Sequence, residues 1–204
     1  MAPKFAKEID TSMLTNISAV LKDHVIFFRP HIEDFYGLAL FIKKELKVLE
    51  EGDIFVYKDK GWMHEESNGN HARNLQYMTV ETSNGPRMIL NFHGLWNGGA
   101  KEDTEERVTQ SDNIAKFLKN VSHPHVLIGD FNLLPETKSL KALEELGLKN
   151  LVKEFGVTST RSRHYTKPVK FADYALVSKG IKVNEFKVLP DEVSDHLALY
   201  LDFE

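Results

Sequence analysis

The chain has 204 residues and a formal net charge of −4, with 26 Lys and Arg against 30 Asp and Glu. Its hydrophobic fraction of 42% and charged fraction of 27% are typical of globular domains and exclude disordered and fibrous proteins. Because the chain contains no cysteine, disulfide frameworks, zinc–cysteine sites and thiol catalysis are also excluded. We expect one domain over residues 1–204, no membrane span and, in the absence of a signal peptide, a cytoplasmic location.

Helix and strand patterns are interspersed along the chain. Apolar spacing and end charges predict helices over residues 9–21, 105–118 and 139–148. Runs rich in branched and aromatic residues predict strands over residues 24–28, 36–42, 54–57, 75–80, 88–93, 126–130, 171–177, 181–189 and 197–201. The turn residues 83–86 predict a hairpin between the fourth and fifth of these strands. Many antiparallel strands with a few helices indicate an α+β class, with helices packed outside paired sheets.

Polar residues suited to chemistry lie at the edges of several predicted strands. They are Asn91, His93, Asp130, Asn132, Asp173, Asp195 and His196. Asn91 and His93 share a face of their strand because they lie two residues apart. Taken singly, each has an ordinary structural explanation as a cap, an Asx turn, an edge-strand acid or a partner of a buried backbone group. It is their occurrence together, at strand ends, that favours a functional site.

Oxygen and imidazole groups of this kind suit phosphoryl-transfer hydrolysis at a hard divalent cation. Carboxylates bind Mg²⁺ through oxygen, and Mn²⁺ is a plausible substitute. A histidine held by an aspartate transfers protons or stabilises charge near neutral pH. The metal polarises a phosphoryl oxygen and stabilises the leaving alkoxide.

The order of these motifs resembles that of the endonuclease/exonuclease/phosphatase superfamily, the deoxyribonuclease-I-like metallophosphodiesterases. The resemblance covers residues 35–204 and rests on Asn91-Phe92-His93, Gly129-Asp130-Phe131-Asn132, Phe171-Ala172-Asp173-Tyr174, Ser194-Asp195-His196 and the run from Tyr36 to Phe41. It implies a four-layer α/β/β/α sandwich of two mainly antiparallel sheets, with the active site at one rim. The implied activity is Mg²⁺-dependent phosphodiester hydrolysis by in-line attack of water.

The resemblance also implies a role for each site residue. Asp130 would orient or activate the attacking water, Asn132 would hold the phosphate, and Asp195 would bind the metal together with Asp130. His196, oriented by Asp173, would contact the scissile phosphate or transfer protons. A second histidine, His93, would act on the leaving-group side.

The chain departs from the superfamily at its front. Members open with a strand ending in Asn and later a strand ending in Gln-Glu, whose glutamate is the principal metal ligand, and neither is found here. We therefore expect an N-terminally shortened chain: a fragment, a shortened member with altered activity, or a homodimer that covers the missing strands. The alternative function is a catalytically weakened or inactive binding protein of the same fold.

Four features bear on the substrate, which is expected to be a phosphodiester and, in one interpretation, a nucleic acid. Residues 149–170 carry six basic residues against one acidic residue, so they form either a phosphate-gripping loop or a solvated one. Arg73 begins a strand and either reaches the phosphate or lies on the surface. Trp96 and Asn97, in a loop after His93, are expected to contact substrate, the tryptophan by stacking. The acidic balance weighs against an efficient nonspecific nuclease.

Overall fold

The structure, a computed structural model, describes residues 13–65 and 69–204. The helices within these ranges are α1 (Met13–Val20), α2 (Glu105–Leu118), α3 (Lys138–Glu144) and α4 (Leu151–Glu154). The strands are β1 (His24–Ile32), β2 (Tyr36–Lys43), β3 (Val48–Tyr57), β4 (Arg73–Thr82), β5 (Gly85–His93), β6 (His125–Asp130), β7 (Lys149–Asn150), β8 (Asp173–Val177), β9 (Val183–Val188) and β10 (Leu199–Phe203). No described helix has the length and apolar character needed to cross a membrane.

Six strands form a central sheet in the order β3-β4-β5-β6-β8-β7. Its neighbouring strands are antiparallel except for β5 and β6, which run parallel. A parallel pair needs a crossover connection, and α2 supplies it. Two smaller antiparallel sheets are formed by β1 with β2 and by β9 with β10.

Alternate residues of the central sheet pack against different layers. Leu90 and Phe92 of β5 belong to the main core together with Ile114 of α2. Ile89, the residue before Leu90, packs instead against the second cluster, formed by Ile42, Met78 and Val80, as expected for successive residues of a strand. The sheets and helices therefore form the sandwich that the sequence indicated, with the second sheet layer present as two separate two-stranded pieces.

An apolar cleft of about 430 Å³ runs along β10, with residues of β5, β6 and β8 as its floor. Ile128 and Ala175 lie in this floor, and Leu199 and Leu201 line its wall. A homodimer is one of the alternatives drawn from the sequence, and it remains a prediction. Sedimentation equilibrium tests it, because a monomer mass over the whole concentration range would contradict a dimer.

Several element boundaries follow local chemistry that the sequence displays. The helix α2 has the predicted bounds, and the Thr104 side chain caps it by accepting from the Arg107 N–H. The predicted hairpin of β4 and β5 is confirmed. The helix predicted over residues 9–21 begins outside the described residues and continues as α1. The third helix ends at Glu144, earlier than predicted, before Gly147 turns the chain with a φ of 88°.

Two buried histidines stack against each other beside the central sheet. His31 and His71 are 1% and 3% exposed, with ring centroids 5.0 Å apart. His31 Nδ1 donates to Asn74 Oδ1 at 3.1 Å, and His71 Nδ1 donates to the Ala72 carbonyl at 2.9 Å. Burial, and then the charge of Arg73, lower the pKa of His31 to about 4 and the pKa of His71 to about 3.

This histidine pair is expected to make the protein sensitive to acid. The folded pKa values lie below the ordinary 6.5. At a pH between the folded values and 6.5, the unfolded chain therefore binds more protons than the folded chain. The stabilisation is therefore complete above pH 6.5 and is lost as the pH falls toward the folded values. At pH 5 the free energy of unfolding should be lower by about 2 kcal/mol per histidine than at pH 7.5, as measured by urea denaturation. In a His31→Gln/His71→Gln variant the free energy of unfolding should depend less on pH. The exposed control, His164→Gln, should keep the pH dependence of the wild type. An unchanged slope in the double variant would contradict the prediction.

Candidate active site

The backbone register of the central sheet brings three side chains together at one edge. His93 is aligned with Asp130 across the parallel pair β5–β6, and Asp130 is aligned with Asp173 across the antiparallel pair β6–β8. Gly129 permits this close pairing, because a Cβ there would lie 1.9 Å from the Phe92 carbonyl oxygen. Its φ of 140° also favours glycine. The edge of three strands thus carries two carboxylates and an imidazole.

His196 joins this group from the loop before β10. Its Nδ1 lies 2.8 Å and 2.9 Å from the two carboxylate oxygens of Asp173. Because a carboxylate only accepts hydrogen bonds, Nδ1 carries the proton. The other ring nitrogen, Nε2, is directed away from Asp173 and toward Asp130. There Nε2 lies 3.6 Å from Asp130 Oδ2. His93 Nε2 approaches the same oxygen at 3.9 Å.

Asp130 is the centre of the cluster. Its Oδ1 accepts from the Asn132 N–H at 2.8 Å, which leaves Oδ2 facing the two histidines. Burial, and then the negative charge of Asp173, raise the pKa of Asp130. No Lys or Arg nitrogen of the described residues lies within ion-pair distance of it. The charges of Lys101 and His196 and the hydrogen bond from the Asn132 N–H oppose this rise without cancelling it.

Asn132 is held in an unusual backbone conformation next to this carboxylate. Its φ of 52° is in the left-handed region, which asparagine tolerates better than most residues. Its Nδ2 donates to the Gly94 carbonyl at 3.1 Å, and the Gly94 N–H donates to the Asp130 carbonyl at 2.7 Å. Gly94 is thereby hydrogen-bonded to both Asp130 and Asn132, which restrains the side chain of Asn132, a residue that is 4% exposed.

The cluster opens into a cavity of about 460 Å³, which we call the rim pocket. Its lining includes Arg73, His93, Lys101, Asp130, Asn132 and His196. The Asp195 carboxylate, the Arg161 guanidinium and the rings of Trp96 and Tyr165 complete much of its wall. The sequence-predicted residues Arg73, His93, Asp130, Asn132, Asp195 and His196 are therefore brought together in one pocket, with Asp173 in contact through His196.

Arg73 is buried at this pocket, 1% exposed, so the surface alternative drawn from the sequence is wrong. Its Nη2 donates to the Gly69 carbonyl at 3.3 Å. Within the described ranges, Nε and Nη1 have no hydrogen-bond partner. Burial lowers the pKa of the guanidinium to about 10, which still leaves it charged at neutral pH. A buried guanidinium that keeps two unbonded nitrogens beside a cavity is suited to an anionic ligand.

The residues predicted to bind metal are arranged differently from expectation. Among the described residues, Asp130, Asp173 and His196 are the group whose ligand atoms all lie within 4.8 Å of one another. Asp195 is not part of that group. Its Oδ2 accepts from Arg161 Nη1 at 2.9 Å, and its side chain is 49% exposed.

A hard divalent cation nevertheless fits the chemistry of these donors. Asp130 Oδ2 accepts no hydrogen bond from the described backbone or amides, and a cation would stabilise the ionised form of Asp130, which burial and the charge of Asp173 disfavour. Asp173 is less suited, since both of its oxygens face His196 Nδ1. One oxygen of Asp195 remains outside its ion pair with Arg161. Asp130 is therefore the principal candidate ligand, and Asp195 is the second.

Two sequence expectations about the surrounding loops need correction. Asn97 does not line the rim pocket, because its Oδ1 accepts from Arg107 Nη2 at 3.3 Å. The basic segment 149–170 does not act as one loop. Arg161 and Lys167 line the pocket, whereas Lys149 and Lys153 form ion pairs with acidic residues elsewhere.

Lys101 is a pocket residue that sequence reasoning missed. It is 3% exposed, although lysine in a polar loop normally lies at the surface. No sequence pattern marks it, since its position depends on the buried side chain of Arg107 in α2. That guanidinium donates to the carbonyls of Ala100 and Glu102, both at 2.6 Å. The loop is thereby fixed on both sides of Lys101.

Comparison with known proteins settles the family. The model of the Endonuclease/Exonuclease/phosphatase family matches residues 8–196, a longer stretch than the motifs alone indicated. The chain belongs to this family. A search among curated protein sequences found no match.

Solved structures agree with the family fold. A mannosyl-6-phosphatase from Bacteroides thetaiotaomicron has a TM-score of 0.75 and 16% identity, covering 94% of this chain and 80% of that chain. The human Nocturnin catalytic domain with bound sulfate anion has a TM-score of 0.72 and 20% identity, covering 96% of this chain and 78% of that chain. TDP2 from D. rerio, complexed with single-strand DNA product, has a TM-score of 0.67 and 15% identity, covering 94% of this chain and 81% of that chain. These likenesses confirm the family fold that the motifs implied.

Proposed function

We propose that this family member is a Mg²⁺-dependent phosphodiester hydrolase that directs water at a phosphorus atom in line with the leaving group. Family membership supports hydrolysis of a phosphoester bond. The observation that carries the proposal is the chain of contacts from Asp173 through His196 to Asp130, beside a pocket into which the buried guanidinium of Arg73 brings donors without a partner among the described residues. The structural neighbours include a phosphatase and a protein complexed with a DNA product, so nucleic acid is one candidate substrate.

Asp130 is the residue we assign to the attacking water. A carboxylate accepts a proton or orients water through hydrogen bonding. Its Oδ2 faces the pocket histidines, while Oδ1 is held by the Asn132 N–H. The carboxylate is therefore preorganised for this task before substrate binds.

The two histidines are assigned to proton transfer and to stabilisation of the charge that develops during the reaction. Asp173 fixes the tautomer of His196, so Nε2 is available in the pocket. His93 is different, because burial and then the charge of Arg73 hold its pKa well below the usual value. It is neutral near pH 7 and acts as a hydrogen-bond partner on the leaving-group side rather than as a cation.

Arg73 and Asn132 are assigned to the phosphate. The guanidinium supplies donors that have no partner within the described chain, and the Asn132 amide borders the same cavity. Asp130 and Asp195 would hold the divalent cation. When bound, such an ion polarises the phosphoryl group and lowers the charge barrier to attack.

Metal removal tests this function directly. We expect hydrolysis of bis-p-nitrophenyl phosphate with Mg²⁺ or Mn²⁺, loss of that activity in EDTA, and recovery when excess Mg²⁺ is added, because the proposed cation would polarise the phosphoryl group. Release of p-nitrophenol measures the rate, and a single-stranded oligonucleotide tests nucleic acid in parallel. A rate that EDTA leaves unchanged would contradict the proposal.

The alternative, a catalytically weakened binding protein, has one observation in its favour. Asp173 is engaged by His196 and Asp195 by Arg161, so few carboxylate oxygens remain for a cation. This alternative predicts that phosphoesters bind without turnover. Equal background hydrolysis with Mg²⁺, with EDTA and without protein would favour it.

A further inference from the structure

Lys101 carries a charge that the described part of the chain does not pair. Its Nζ is buried without a hydrogen-bond partner there, and no described carboxylate lies within ion-pair distance of it. Burial is costly for an ammonium unless an opposite charge or acceptor compensates it. Because the side chain lines the rim pocket, a ligand in that pocket is the natural source of that compensation.

The surroundings hold Lys101 in place rather than leaving it to move into water. The carbonyl of Lys101 accepts from the Leu134 N–H at 2.8 Å. Arg107 binds the two flanking carbonyls, as described above, and also donates from Nε to the Leu95 carbonyl at 3.2 Å. On the pocket side, the Lys101 ammonium lies 5.9 Å from the centroid of the Tyr165 ring.

The charges near Lys101 define what it would bind. Arg161 lies over the same Tyr165 ring, 4.3 Å from its centroid, but its Nη1 is already paired with Asp195. Arg73, Lys101 and Arg161 are three buried cations of this pocket that each keep an unpartnered donor among the described residues, and of the three only Arg161 has an ion pair. The two cations without an ion pair complement an anion with two negative charges better than an anion with one.

Resting on the proposed function, we infer that Lys101 is a second phosphate-binding residue, which contacts a non-bridging oxygen of the same phosphate as Arg73. It contributes to binding of the phosphate group and is not assigned a proton transfer. A doubly charged phosphate, as in inorganic phosphate or a terminal phosphoester, gains most from it. The expected signature is a loss of phosphate affinity that a second cationic side chain restores.

Binding of inorganic phosphate, measured by isothermal titration calorimetry in EDTA, tests this inference without requiring hydrolysis. Loss of a charge-assisted hydrogen bond should weaken binding by Lys101→Met about 10- to 100-fold. Lys101→Arg should remain within about threefold of the wild type because it keeps the charge. Lys138→Met, at the exposed start of α3 and outside the pocket, is the matched control and should bind as the wild type does.

The outcomes separate this inference from the proposed function. Phosphate binding that depends on Lys101 in a protein that hydrolyses no phosphoester would uphold the inference and contradict hydrolysis. A Lys101→Met affinity within twofold of the wild type would overturn the inference, and so would undetectable phosphate binding by the wild type. Equal losses in Lys101→Met and Lys101→Arg, with thermal stability also lowered, would assign Lys101 to loop structure and overturn it as well.

Discussion

Replacing Asp130 with asparagine is expected to lower kcat/KM for bis-p-nitrophenyl phosphate about 10³-fold, the middle of the range for a general base. The amide keeps the shape of the side chain but neither accepts a proton from water nor binds a cation as strongly. Steady-state release of p-nitrophenol in Mg²⁺ measures the effect. A loss smaller than tenfold would remove Asp130 from the role assigned here.

The same variant makes an opposite prediction for stability. Burial and the neighbouring charge of Asp173 disfavour the ionised form of Asp130, so removing that charge should leave the midpoint of urea denaturation unchanged or raised. Glu136→Gln is the matched control, because Glu136 is an exposed carboxylate a few residues along the same loop, 3.5 Å from Lys141. It should change neither activity nor stability, which separates loss of the catalytic carboxylate from a general effect of charge.

Removing the carboxylate that holds His196 is the second large expected effect. Asp173→Asn should lower kcat by about 10²- to 10⁴-fold, because the Nδ1–H of His196 then loses the charged acceptor that fixes its tautomer. The change should fall on kcat more than on KM, since Asp173 itself does not line the rim pocket. An unchanged kcat with a raised KM would contradict this positioning role.

A double-mutant cycle tests whether Asp173 and His196 act as a unit. If Asp173 works only through His196, the variant Asp173→Asn/His196→Gln should be about as slow as the slower single variant. Fully multiplicative losses would mean that the two side chains act independently. The hydrogen-bond distances of 2.8 Å and 2.9 Å between them lead us to expect strong coupling.

Much of the site was predictable because its residues end strands or stand in short motifs, although the parallel pairing of β5 with β6 was not expected from the sequence. Asp130 and His93 end strands that run parallel, so their side chains meet at one edge. The helix α2 was predicted to its observed ends because capping and end charges are local properties. The short elements β7 and α4 were not predicted, because two- and four-residue segments carry too little periodicity and depend on tertiary packing.

Other features of the site depend on contacts that no local pattern encodes. Asp195 is paired with Arg161, a residue 34 positions away, so its availability to a cation differs from expectation. Asn97 follows the pocket residue Trp96 in the sequence, but its side chain accepts a hydrogen bond from Arg107. Lys101 is buried because that same arginine fixes its loop, which becomes visible only when α2 is packed against the sheet.

The most direct test of the central claim is the fate of solvent oxygen during turnover. If water held by Asp130 attacks phosphorus, hydrolysis of bis-p-nitrophenyl phosphate in H₂¹⁸O with Mg²⁺ should place one labelled oxygen in each p-nitrophenyl phosphate formed, as measured by mass spectrometry. The label should appear at a rate that falls with Asp130→Asn and stops in EDTA. Turnover without label in the phosphate product, or no turnover above background with Mg²⁺ or Mn²⁺, would contradict the account.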